Sequence, residues 1–214
     1  MDVPRNEQAP NPAVRRLSLY LRQFEAFERA GQTTVSSKQL GDSLALTDAQ
    51  VRKDLAYFGQ FGKAGLGYHC GEMTARLRAI LGTDRVWPVA LIGAGNLGMA
   101  LAAYRGFERR GFRLVAVFDN DPGKLGQRHA GLTIQPMQEL PATVAREQIR
   151  LALLAVPADV AQTVAEQVVA AGVRGIVNFA PVVLSLPREI SVSTVDLAEQ
   201  LEQLAFAVST QPTR

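Results

Sequence analysis

The sequence predicts an α/β protein: an N-terminal winged helix-turn-helix domain over residues 1–82, a Rossmann doubly wound parallel sheet over 83–194, and a terminal helix with a short tail over 195–214. Three observations carry that reading. Two capping-box spellings, Ser36-Ser37-Lys38-Gln39 and Thr47-Asp48-Ala49-Gln50, stand in close succession ahead of a glycine-rich segment. Gly93, Gly95 and Gly98 form a Gly-x-Gly-x-x-Gly run between two apolar strands. Beyond Arg150, strand and helix patterns alternate.

At 214 residues the chain has room for two domains, although length alone does not exclude one. Its formal charge of +3 is unevenly placed: residues 1–85 carry 12 Lys/Arg against 9 Asp/Glu, and residues 86–214 carry 11 of each. So small an excess does not identify a nucleic-acid binder, and the arrangement of the charges has to decide. The single Cys70 excludes an internal disulfide framework and fits a reducing cytoplasm. The polar N-terminus shows no signal peptide and no apolar run approaches the length of a membrane span, so a cytoplasmic protein without membrane contact is expected. The chain has too few candidate ligands to propose a metal site.

The first helix is expected from about Pro12 to Ala30, with Leu17, Tyr20, Leu21, Phe24 and Phe27 on one apolar stripe and Gly31 as its C-terminal cap. The two capping boxes then imply two short helices separated by a tight turn. This pair reads as a helix-turn-helix whose recognition helix is about Asp48 to Phe58, with Gln50, Arg52 and Lys53 as its exposed polar residues. Glutamine can read adenine bidentately, arginine guanine, and lysine suits phosphate. Next, Gly59-Gln60-Phe61-Gly62-Lys63-Ala64-Gly65-Leu66-Gly67-Tyr68 suggests a β-hairpin with a tip free of bulky side chains, as a wing touching DNA would be written. A fourth helix follows. A plainer reading stays open, a three-helix module for dimer contacts with Lys53 and Lys63 merely solvated.

The fingerprint assigns a role to each position. Gly93 allows the strand-to-helix turn, Gly95 lets the backbone approach a pyrophosphate, and Gly98 lets the helix close onto the strand, while Ala94, Asn96 and Leu97 complete the loop. The apolar strand from Val89 to Ile92 precedes it, a helix-length segment from about Asn96 to Arg110 follows, and Gly111 separates that helix from a second strand, Leu114 to Phe118. Asp119 ends this strand where a carboxylate would accept the ribose 2′-hydroxyl and repel a 2′-phosphate, which favours NAD(H) over NADP(H). The alternative is an acidic turn made with Asn120, Asp121, Pro122 and Gly123. Lys124 can approach the ribose or pyrophosphate, or be a solvated turn lysine.

Farther on, strands are expected at Arg150 to Ala155, Val173 to Asn178 and near Ile190 to Ser193, with a helix from Ala158 to Ala171. Ligands bind outside the C-terminal ends of such strands. The segments there are Ala155-Val156-Pro157 and Asn178-Phe179-Ala180-Pro181, which would wall a nicotinamide ring, with Asn178 or backbone groups at its carboxamide. Both segments are equally written as ordinary strand-ending turns. A dehydrogenase would also need a base or donor over that ring. The two histidines, His69 beside the glycine-rich segment and His129 in a loop near the adenosine end, are not placed for this, so the nucleotide is read rather than consumed.

These stretches together resemble the Rex family of redox-sensing transcriptional repressors, over about residues 16–206. The residues that carry the resemblance are Arg16-Leu17, Leu19-Tyr20, Val35-Ser36-Ser37, Gln50-Val51-Arg52-Lys53-Asp54, Tyr57-Phe58-Gly59, Phe61-Gly62-Lys63, Gly65 and Gly67-Tyr68. They continue in Gly93-Ala94-Gly95-Asn96-Leu97-Gly98, Gly111-Phe112, Phe118-Asp119, Val156-Pro157-Ala158, Asn178-Phe179-Ala180-Pro181 and Asp196-Leu197. The resemblance implies a homodimer that binds a palindromic operator in double-stranded DNA and is released by NADH, while NAD⁺ competes without releasing it. It places Ser36, Ser37, Lys38, Gln50, Arg52, Lys53, Gly59, Lys63 and Tyr68 at the DNA. It also implies that the last helix, with Leu197, Leu201, Leu204 and Val208 on one stripe and Phe206 near the nicotinamide wall, swaps across the dimer. An apolar stripe on a last helix otherwise packs on its own domain. Arg16, Tyr104 and Asp196 are implied as an interdomain polar switch, with Asp196 exchanging partners. Two other functions stay open: an NAD-dependent oxidoreductase with a small accessory domain, and a nucleotide- or acyl-CoA-binding scaffold without DNA affinity.

Overall fold

The structure, a computed structural model, describes residues 10–62 and 65–210, with the backbone alone at Asn11. Lys63, expected at DNA, and the N-terminal stretch read for a signal peptide lie outside the described residues. The chain divides into two compact units, Met1–Arg85 and Val86–Arg214.

In the front unit, α1 (Asn11–Arg29) begins behind Pro10, and Gly31 follows its end in the left-handed region at φ +79°. Its stripe is the core: Leu17, Tyr20, Leu21 and Phe24 are buried, with Phe27 packed against them. A short strand β1 (Thr34–Val35) leads to α2 (Ser37–Ser43), α3 (Asp48–Ala56), β2 (Tyr68–His69) and α4 (Cys70–Leu81). Ser36 makes the full capping box of α2: its hydroxyl accepts from the Gln39 amide at 3.1 Å, and Gln39 Oε1 accepts from the Ser36 amide at 2.9 Å. Thr47 makes half of one, accepting from the Gln50 amide at 3.1 Å while the Gln50 side chain turns to Asp54 instead.

Among the described residues of the segment 59–68, the expected hairpin ladder is not formed. Gly59, Gly62, Gly65 and Gly67 all have positive φ, a conformation that does not continue a strand. The pairing is long-range: β2 lies antiparallel to β1, Thr34 opposite His69 and Val35 opposite Tyr68. Gly67 is required at this closure, because a Cβ there would collide with the Val35 carbonyl.

The back unit is a seven-stranded sheet in the order β5-β6-β4-β3-β7-β8-β9, from β3 (Trp87–Ile92), β4 (Phe112–Asp119), β5 (Arg128–His129), β6 (Leu132–Pro136), β7 (Leu151–Leu154), β8 (Gly175–Asn178) and β9 (Ser191–Thr194). All its pairings are parallel except β5 on β6. The doubly wound order places a switch point beside β3, the strand that leads into the glycine loop. Its side chains alternate between two cores, Ala90 and Ile92 on one face, Val89 and Leu91 on the other, so both faces are covered and the strand reads as a continuous apolar run.

Two expectations are corrected here. The helix after the glycine loop, α5 (Asn96–Ala103), ends early: Tyr104 turns extended (ψ 103°), lies edge-on to Phe107 at 5.0 Å and covers Gly106, and only a 3-10 turn at Glu108–Arg110 precedes Gly111. Between residues 124 and 149 the sequence reading named no element. The chain there forms β5, β6 and α6 (Leu140–Arg146), and His129 is on β5, its Nε2 3.0 Å from the Met99 carbonyl, rather than in a loop. After α7 (Ala158–Ala170) and β9, the last helix α8 (Leu197–Ser209) does not pack on its own unit. Leu197, Leu201, Leu204, Phe206 and Val208 are 61–72 % exposed. Among the described residues, no helix is long and apolar enough to cross a membrane.

Candidate functional site

At the C-terminal ends of β3, β4, β7 and β8, backbone hydrogen bonds continue past the strands and fix the loops. The Gly93 amide donates to Phe118 O at 2.8 Å, the Ala155 amide to Ile92 O at 2.8 Å, and the Phe179 amide to Leu154 O at 2.9 Å. Gly93 has φ +99° and no room for a Cβ, which would meet the Ala155 carbonyl. A Cβ on Gly98 would run into the Gly93 carbonyl. Gly95 is different: a Cβ there meets nothing within 4 Å, and Gly95, Asn96 and Leu97 are exposed. Gly95 is the N-cap of α5 and no side chain caps that helix, so its first amides face the open side of the loop, where an anion is favoured.

Asp119 closes the loop from β4. Its Oδ2 accepts from the Ala94 amide at 2.7 Å and from Lys124 Nζ at 3.2 Å, and its Oδ1 accepts from the Asp121 amide at 2.8 Å. Burial pushes this carboxyl up, but the Asp121 and Ala94 amides and the Lys124 ammonium outweigh it and hold it below the usual carboxylate range. The two readings of Asp119, ribose acceptor and acidic turn, are therefore geometrically compatible: one oxygen serves the turn and the other the glycine loop.

Ala155, Val156 and Pro157 follow β7, and Phe179 follows β8, at the same ends of the sheet. Asn178 does not offer its side chain. It is fully buried, its amide donates to Ala180 O at 3.0 Å and Val182 O at 2.9 Å, and its Oδ1 accepts from the Ala180 amide at 3.0 Å. Of the two contacts expected at a carboxamide, Asn178 or backbone groups, the Asn178 side chain is committed to pinning the 178–182 turn.

In the front unit, a cleft of about 450 Å³ opens between α2, α3 and the glycine-rich segment, lined among others by Ser36, Ser37, Arg52, Gly62, Gly65 and Tyr68. Arg52 Nη1 spans it, donating to Asp48 Oδ2 at 2.6 Å and Ser37 Oγ at 3.1 Å, which preorganises an exposed guanidinium. Lys38, Lys53 and Gly59 are exposed, and Gln50 is half-buried. Tyr68 is buried with its ring edge-on to Phe24, so it anchors the end of the glycine-rich segment in the core. His69 caps α4, its Nδ1 accepting from the Glu72 amide at 3.4 Å.

Family models described as CoA binding domain and Putative DNA-binding protein N-terminus match residues 84–182 and 8–56. The redox-sensing transcriptional repressor Rex of Pelotomaculum thermopropionicum is 45 % identical over 199 residues, 93 % of this chain and 93 % of that protein. Its counterpart in Carboxydothermus hydrogenoformans is 46 % identical over 199 residues, 93 % of this chain and 96 % of that protein. The chain belongs to the Rex family of redox-sensing transcriptional repressors. Solved Rex-family structures agree. RSP in complex with beta-NAD⁺ and operator DNA superposes with a TM-score of 0.90 at 34 % identity, covering 94 % of this chain and 92 % of that one. RSP in complex with beta-NADH gives 0.85 at 32 % identity, covering 94 % and 95 %. The fold class expected from the sequence, a DNA-binding front domain before a Rossmann-like sheet, is borne out.

One polar cluster of this Rex-family chain escaped the sequence reading. Asp54 on α3 is 1 % exposed and accepts from Arg16 Nε at 2.5 Å and Nη2 at 2.8 Å, from the Tyr20 hydroxyl at 2.6 Å and from Gln50 Nε2 at 2.7 Å. Burial pushes the Asp54 carboxyl up, yet Arg16, Tyr20 and Gln50 hold it below its usual range, and burial beside Asp54 raises the Tyr20 phenol. The signal was available: Val51, Asp54, Leu55 and Phe58 share one helical face, so a carboxylate stands at a core position. Of the three residues expected to form a switch, Arg16 is thus engaged with Asp54, Tyr104 is exposed, and Asp196 caps α8 through the Ala198 and Glu199 amides at 2.9 and 3.2 Å.

Proposed function

We propose that this protein is a homodimeric repressor that sits on a palindromic operator when NADH is scarce and leaves it when NADH binds, acting in the cytoplasm as a regulator and not as an enzyme. The observation that carries the reading is one chain holding a solvent-open glycine cradle beside Asp119 and, in its other unit, a capped helix-turn-helix with a preorganised Arg52.

The pyrophosphate is taken by Gly93 to Gly98 and the first amides of α5, the adenosine ribose by Asp119 with Lys124. The nicotinamide lies against Ala155, Val156, Pro157 and Phe179. NAD⁺ brings a cationic ring and NADH a neutral one, so an apolar wall favours the reduced form by sparing it the desolvation of a charge. Phe206 on the partner's α8 completes the wall, and swapping that helix across the dimer covers its apolar stripe. Ser36, Ser37, Lys38, Gln50, Arg52, Lys53, Gly59 and Lys63 take the DNA, with the buried Tyr68 supporting the glycine-rich segment from behind. Arg16, Tyr104 and Asp196 relay the change as Asp196 exchanges partners.

A ligand moves an equilibrium only by its differential affinity. If NADH favours a dimer whose recognition helices no longer match major grooves about 34–36 Å apart, DNA weakens NADH binding by the same factor.

The test is fluorescence anisotropy of a labelled inverted-repeat duplex at fixed salt, titrated with protein and then with NADH or NAD⁺. Tight binding reversed by NADH alone is the expected result, and indifference to NADH overturns the reading. In the same assay Lys53→Ala should weaken binding to all duplexes alike and lower the slope of log affinity against log salt by about 1, the loss of one phosphate contact.

A further inference from the structure

Lys124 is held on the turn 121–124 by its amide, which donates to Asp121 O at 2.9 Å, and its ammonium lies 3.2 Å from Asp119 Oδ2 and 3.6 Å from Asp121 Oδ2. A merely solvated turn lysine would point away from the protein. This one is paired with a carboxylate whose side chain is only 12 % exposed, while its own is 35 % exposed. Asp119 can offer about four lone-pair positions. Three are taken by Ala94, Asp121 and Lys124, which leaves one on Oδ1, enough for one hydroxyl.

The charges decide the rest. Asp119, Asp121 and Lys124 together leave one negative charge beside the glycine loop. Without Lys124 two carboxylates would face a 2′-phosphate unopposed, and without Asp119 the ammonium would keep only Asp121, whose side chain is 50 % exposed.

We propose that Lys124 is a specificity-determining residue of the dinucleotide site: its pairing with Asp119 sets how strongly the site rejects a 2′-phosphate, and Lys124 itself takes that phosphate once the Asp119 carboxylate is removed. The proposal rests on the dinucleotide reading above and adds NADP(H) as the ligand class against which Lys124 acts. The ammonium, raised in pKa by its bond to Asp119, stays charged throughout the working range.

The experiment is a fluorescence titration of the full chain with NADH and NADPH, whose reduced rings give the same signal, for wild type, Lys124→Met, Asp119→Ser and the double variant. The quantity read is the ratio of the NADPH and NADH dissociation constants, which cancels any general loss of binding. Lys124→Met should raise the ratio about tenfold, and Asp119→Ser should lower it by more than tenfold, an effect lost in the double variant. An unchanged ratio in Lys124→Met, or equal NADPH affinities for Asp119→Ser and the double variant, overturns the proposal. Lys124→Met changes a surface side chain only, so its arm stands even where Asp119→Ser folds poorly. Wild type that binds neither nucleotide would instead overturn the dinucleotide reading itself, and this proposal with it.

Discussion

Arg16→Ala should destabilise the front unit by about 3–5 kcal/mol, because it strands a buried carboxylate rather than merely deleting an ion pair. Asp54 is 1 % exposed, and the two bonds from Arg16 are its only charged partners among the contacts described. Asp54→Ala should cost less, about 2 kcal/mol: Arg16, 25 % exposed, can turn to water, and the buried Tyr20 hydroxyl is the main group left unpaired. The single Trp87 lies on β3, so its fluorescence follows the back unit, and loss of helical circular dichroism ahead of the Trp87 transition isolates the front unit. The pH dependence separates causes. In wild type the Asp54 carboxyl is depressed, so its contribution is full above the ordinary carboxylate value and fades as pH falls below about 4. With Arg16 gone, burial raises that carboxyl, and the stability deficit of the variant should shrink as pH drops from 7 toward 5. A deficit independent of pH would mean that Asp54 is not the stranded group.

Gly95→Ala and Gly98→Ala should fail in opposite ways. At Gly95 a Cβ meets no protein atom within 4 Å, so the fold should keep its melting temperature within a degree or two while NADH affinity falls at least tenfold, the methyl occupying space meant for a pyrophosphate. At Gly98 the Cβ collides with the Gly93 carbonyl, backbone of a residue whose amide is tied to Phe118 O. That variant should lose stability and ligand together. Thermal melts with and without NADH decide it: normal NADH stabilisation of Gly95→Ala would remove the pyrophosphate from this loop.

The glycine loop, its flanking strands and both helix starts of the helix-turn-helix were legible because each is written locally, in capping spacings and apolar runs. What misled were places where distant residues decide. The glycine-rich segment looked like a hairpin, but its strand partner is Thr34–Val35. The helix after Gly98 looked long because Tyr104 and Arg105 do not break helices by themselves, whereas the Tyr104 ring needs the space over Gly106. Strand β6 was missed because Leu132–Pro136 is short, ends in proline and pairs with β4 only at its end. Asn178 was read as a ligand contact from its position alone; only the turn at Ala180 and Val182 shows where its amide goes.

The bare apolar face of α8 has a consequence for dose. A 13-residue helix that buries none of its leucines is marginal on its own, since isolated helices of about 12–15 residues barely hold in water. Its order is borrowed from whatever surface covers it, and if that is the second copy, it varies with how many copies are present. If α8 covers the partner's nicotinamide site as proposed, dilution acts like a competing signal: the fewer molecules a cell keeps, the more of those sites stand uncovered, so abundance of the regulator is itself an input to what it reports.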